Sequence, residues 1–188
     1  AIIRPAPGGD PMRGTRGALC GNPALLGETL PRIVGQIRGC GIERPVRVNV
    51  VDGVRLSTPA TMDCDTANAL AAWVRDGVKP AVGRAGGGVA QLHVAAHYTC
   101  RTRNHRPGAR LSEHGRGRAI DISAITLADG RVLSVLRDWR GRDGHILKAM
   151  HKSACGPFTT TLGPGSDGMH EDHLHLDTAQ HRRGRYCR

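Results

Sequence analysis

The sequence predicts an α+β domain in which helices cover a small, mostly antiparallel sheet stapled by disulfides. Three observations carry this prediction. Runs of β-branched residues flank the Asp-Gly pairs at 52–53 and 129–130, a strong hairpin signal. Only two stretches, 61–76 and 144–154, have the spacing of packed helices. Six cysteines are spread from Cys20 to Cys187 with no Cys-x-x-Cys pair, which favours a disulfide framework over a structural zinc knot.

Taken in chain order, residues 1–19 are rich in Pro, Gly and Arg and have no hydrophobic period, so a poorly ordered arm is expected, with a single folded domain over 20–188. A length of 188 residues suits one domain with one core. The segment 46–57 reads as the first hairpin. In 61–76, Met62, Ala69, Leu70, Trp73 and Val74 fall on one helical face, with Thr61 or Asp63 as N-cap and Gly77 beyond the end. Trp73 reads as core packing. A strand over 89–101 leads to a second strand pair around Asp129-Gly130. The helix at 144–154 then precedes a short strand at 158–162, a Gly/Pro loop at 163–168 and a last strand in HLHLD, 173–177.

Only five aromatic residues, with 26 Gly and 11 Pro, leave an aliphatic core of modest size, one that gains from covalent staples. Disulfides in turn imply an oxidising compartment, periplasmic or secreted. No stretch approaches the length of a membrane span, and a chain starting at Ala1 reads as a mature or trimmed fragment. The formal charge of +11 comes mainly from arginines at 101–118 and 181–188. Such clusters favour a polyanionic partner. The aromatics that stack on nucleic acid bases are missing, so an anionic cell-wall polymer is the expected partner and nucleic acid is not. A monomer is expected.

Chemistry concentrates in two clusters, SEHGRGRAID at 112–121 and HEDHLHLD at 170–177. Imidazoles and a carboxylate drawn from two separated segments are a usual ligand set for a catalytic zinc with one position open to water, which points to metal-assisted hydrolysis. A turn at 115–117 can bring Asp121 back beside His114. A carboxylate inside an apolar strand is costly unless it is paired or bound to a metal; a salt bridge to Arg118 or Arg101 is the other way to satisfy it. In the second cluster, period-two alternation places His173, His175 and Asp177 on one strand face and Leu174 and Leu176 on the other. Asp172 has the opposite parity and needs a bend to reach inward.

The motif Ser-x-His-x-x-Gly-x-Ala-x-Asp, met by Ser112, His114, Gly117, Ala119 and Asp121 and followed by a downstream His-x-His, resembles the signature of the LAS-type zinc peptidases. That group includes D-Ala-D-Ala carboxypeptidases, murein endopeptidases and the hedgehog-like fold. Over about 38–188 the chain is most similar to the bacterial extensin-like C-terminal domain family. The segments that carry this likeness include CGIERPVRV, YTCR, LSEHGRGRAIDIS and ACGPFTTTLGPGSDGMHEDHLHLD. The Ser/Pro repeats of plant extensins are absent.

The resemblance implies a hedgehog/D-Ala-D-Ala-peptidase-like fold with His114, Asp121 and His175 as zinc ligands. It also implies Asp172 as general base, His173 or His170 as an assisting group, and Arg101 as the arginine that meets substrate carboxylate or oxyanion. Ser112 and Ser123 read as turn or supporting residues. The expected activity is hydrolysis of an amide in peptidoglycan peptides, as an endopeptidase or carboxypeptidase; the alternative is a zinc-containing wall-binding module without turnover.

Overall fold

The computed structural model describes residues 18–188; most of the arm expected over 1–19 lies outside them, and Leu19 already packs against the core. The class is α+β. Strands β1 (Leu25–Thr29), β4 (Val46–Val51), β5 (Val54–Met62), β6 (Val89–Ala96), β7 (Ala119–Leu127), β8 (Val132–Ser134), β9 (Thr160–Leu162), β10 (Leu174–Asp177) and β11 (Tyr186–Cys187) form one nine-stranded sheet. Its order is β1-β4-β5-β6-β7-β10-β9-β11, with β8 also paired to β7; β2 (Ile33–Val34) and β3 (Gly41–Ile42) make a separate ribbon. The sheet is larger than expected, and it is mixed: β5 runs parallel to β6, and β11 parallel to β9. The parallel β5–β6 pair arises because the helical segment between them returns the chain to the starting end of the sheet, as a crossover requires.

Asp52 and Gly53 both take positive φ, 46° and 78°, so the first hairpin closes on a two-residue turn of the primed kind that matches strand twist. Helix α1 (Cys64–Trp73) is capped by Asp63, whose carboxylate accepts the Thr66 N–H at 2.8 Å. Thr61 and Met62, expected within the helix, complete β5 instead. The helix does not stop at Gly77: it continues through a π turn (Val74–Val78) into α2 (Lys79–Val82). A Cβ at Gly77 would lie 2.3 Å from Ser153 Oγ, so this glycine serves close packing against α4 (Gly144–Ala154) rather than termination. Trp73 is fully buried, donates its indole N–H to the Met150 carbonyl and meets Phe158 edge-on. The segment after β8, expected as strand, becomes the short helix α3 (Val135–Asp138), started by Ser134, whose hydroxyl accepts the Arg137 N–H.

The sheet core is aliphatic. Leu92, Ile120, Ile122, Ile125, Leu174 and Leu176 are buried together with Leu70 and Trp73. The alternation read in HLHLD therefore holds: its leucines face this core, while His175 and Asp177 face the other way. All six cysteines are paired, as Cys20–Cys64, Cys40–Cys100 and Cys155–Cys187. The first ties the N-terminal turn to α1, the second braces the loop before the first histidine cluster, and the third fastens β11 to the end of α4. Among the described residues no helix is long and apolar enough to cross a membrane.

Thiol titration of the unreduced, denatured chain is expected to give almost no reactive cysteine. Replacing Cys40 and Cys100 together with Ala should lower stability by about 2–4 kcal/mol, read as a shift in the denaturant midpoint. An unchanged midpoint would show that the bridge adds nothing.

Candidate metal centre

Three donor groups meet on one face of the sheet. Strand β10 pairs antiparallel with β7 so that His175 stands directly opposite Asp121, while Leu174 faces Ile122 and Leu176 faces Ile120 on the core side. Cross-strand partners on one face lie within side-chain contact, and a slip of one residue would send the ligands into the core. His114 arrives from a 3-10 turn (Glu113–Arg116) capped by Ser112, whose hydroxyl accepts the His114 N–H. Gly117 ends that turn in the left-handed region at φ 69°, and a Cβ there would come within 2.3 Å of Ile42. Glycine is thus required twice over at the corner that aims His114 back toward Asp121.

His114, Asp121 and His175 offer donor atoms that all lie within 4.8 Å of one another, and the group could hold a metal ion. His114 Nε2 and His175 Nδ1 approach the same oxygen, Asp121 Oδ1, at 3.1 and 3.0 Å. The far nitrogens are engaged too. His114 Nδ1 donates to the His97 carbonyl at 2.9 Å, and His175 Nε2 donates to Asp177 at 2.8 Å. This is the outer-shell bonding that fixes the orientation of metal-binding imidazoles and raises their basicity. The donor set suits a borderline cation that takes nitrogen and oxygen.

Burial disfavours a charge on Asp121, but hydrogen bonds and attraction from His114 and His175 outweigh it and hold its carboxyl far below the usual range. For His175, burial again opposes charge, yet the bonds to Asp121 and Asp177 prevail and push its pKa up to about 9. In the metal-free protein the protonated His175 ring therefore bridges two buried carboxylates, donating from Nδ1 to Asp121 and from Nε2 to Asp177. Burial and the neighbouring His114 lower the pKa of His97, whose Nδ1 accepts the Thr61 N–H at 3.2 Å.

His173 precedes β10 and turns Nε2 toward Asp121 Oδ2 at 3.7 Å, while its Nδ1 bonds Asp172 at 2.6 Å. Asp172 is 65% exposed and meets the site through His173. His170 repeats the arrangement with Asp167 at 2.7 Å, and its ring lies 4.9 Å from that of His173. Arg101, next to the Cys40–Cys100 bridge, lines the same cleft of about 800 Å3. Ser123 lies on β7, half-buried, outside the cleft lining.

Some of the surroundings had only a weak signal in the sequence. Asp177 shares strand parity with His175, and that parity alone points to its contact. The far cleft wall, His181 to Tyr186, comes from the chain's last residues, brought in by the Cys155–Cys187 bridge and the β9–β11 pairing. Glu113 lines the cleft beside His114.

Comparison with family models matches residues 24–188 to the extensin-like protein C-terminus, and the chain belongs to that family. No curated protein and no solved structure gives a match.

Because a metal must displace the proton on His175, metal affinity is expected to rise with pH by roughly tenfold per unit up to about 9, and uptake should release protons. The sign for folding is opposite. A histidine whose pKa rises on folding stabilises the metal-free protein fully below about 6.5, and that contribution is lost as pH climbs through about 9. Zinc titrations by calorimetry across this range test the first, and denaturant midpoints of the metal-free protein the second; an affinity independent of pH would contradict the protonated bridge.

Proposed function

We propose that this extensin-like C-terminal domain is a zinc-dependent hydrolase that cleaves an amide bond in peptidoglycan peptides, with a LAS-type peptidase arrangement of its site. The observation that carries the reading is the convergence of His114, Asp121 and His175 at the floor of an open cleft, each imidazole held by a second bond on its far nitrogen. Three protein donors are the number found in catalytic zinc sites, where one position is left for water or substrate. When bound, zinc supplies Lewis acidity and a lowered pKa for its water.

The remaining roles belong to the chain. His173 directs Nε2 into the site and is the group best placed to move a proton between water and the leaving amine. Asp172 acts through His173 as a positioning residue, orienting the ring from its Nδ1 side. Arg101 offers a fixed cation at the cleft for a substrate carboxylate or the charge that develops on the carbonyl oxygen. Disulfides and a cationic surface fit work in the periplasm or outside the cell against an anionic wall.

Incubating zinc-loaded protein with purified peptidoglycan should release muropeptides detectable by mass analysis. His175→Ala should lose both zinc and activity. His173→Ala should keep zinc and lose on the order of 10²–10⁴ in kcat. Asp172→Asn should lose less, roughly 10–100-fold in kcat with KM and zinc content retained, and Asp172→Glu should recover part of it. A larger loss in Asp172→Asn than in His173→Ala would transfer the base role to Asp172. Zinc-loaded protein that binds the wall but releases nothing would make the chain a binding module.

A further inference from the structure

Beside the metal cleft lies a second cavity of about 350 Å3, lined by Arg103, Arg110, Arg116 and Arg118 against a single carboxylate, Glu113. Its lining is continuous with the cleft, because Arg103, Glu113 and His181 border both. The loop that carries two of the arginines is built. The Arg103 N–H donates to the Arg110 carbonyl at 2.8 Å, and Thr102 bridges Leu111, so the two guanidinium-bearing residues are held across from each other.

Of these cations only Arg118 approaches their one acidic neighbour. Glu113 Oε2 is buried without a hydrogen-bond partner, and Arg118 comes no closer to it than 4.0 Å. Arg103, Arg110 and Arg116 are exposed and form no ion pair among the described residues. Arginine cannot shed its charge, and its planar fork matches the paired oxygens of a carboxylate or phosphate. Like charges gathered around one cavity raise the local concentration of anions there.

We infer that this cavity is an anion-binding subsite, which takes a second oxyanion group, carboxylate or phosphate, of the same polymer whose amide reaches the metal centre. The inference rests on the hydrolase reading for the identity of that polymer. Through Arg103 and His181 the subsite joins the cleft, so one extended ligand can occupy both and its register over His114, Asp121 and His175 is set by where its charges fall.

The test uses zinc-loaded full chain and three fluorescent probes, read by anisotropy immediately after mixing: a wall stem peptide with free carboxylates, the same peptide with its carboxylates amidated, and a glycerol-phosphate oligomer. Arg110→Gln combined with Arg116→Gln alters only exposed side chains of the second cavity, and circular dichroism checks that the fold is kept. Affinity for one anionic probe should fall on the order of tenfold in the double variant, with little change for the amidated peptide. Loss confined to the stem peptide identifies a carboxylate, and loss confined to the oligomer a phosphate. Unchanged affinity for both anionic probes in the double variant overturns the subsite. Muropeptide release is scored in parallel. Absent release with charge-dependent binding removes only the hydrolase reading, whereas release with an unaffected double variant removes only the subsite.

Discussion

Asp121 puts a negative charge on a strand whose neighbours Ile120 and Ile122 are completely buried, and the surrounding structure is arranged to compensate that charge. An unpaired carboxylate in such a place would cost several kcal/mol. Two imidazoles close on it, one from its own chain segment through the Gly117 corner and one from the adjacent strand. Each imidazole is held in turn from behind, by a backbone carbonyl or by Asp177. Without a metal the arrangement is satisfied by a protonated His175 that donates to Asp121 from one nitrogen and to Asp177 from the other.

Strand register makes this possible. The leucines of β10 are anchored in the aliphatic core, which fixes the alternation that turns His175 and Asp177 toward the cleft. Packing on one face therefore determines chemistry on the other. The flanking β9 extends the same surface to the C-terminal wall, so the hydrophobic core and the cationic cleft are two sides of one sheet.

Much of this was legible in the sequence because it depends on local rules. Asp52-Gly53 specified its turn, the Asp63 cap and Trp73 marked α1, and the parity of HLHLD sorted leucines from histidines. Proximity in the chain also made the pair His114 and Asp121 readable. What escaped depends on long-range packing. Gly77 answers to the close approach of Ser153, far along the chain, rather than to a helix end, and the parallel β5–β6 pair to a crossover that has no short signature. The second cavity collects arginines from 103 to 118 around residues 179–181, a grouping that charge counts alone do not locate.

The Cys40–Cys100 bridge lies against the turn that presents His114: a Cβ on Gly115 would come within 3.0 Å of Cys40 Sγ. It also joins residues 60 apart in sequence, so the turn that carries the first imidazole is braced by a non-local covalent contact. The position of the first imidazole is thereby tied to the oxidation state of two thiols that are not themselves among the donors.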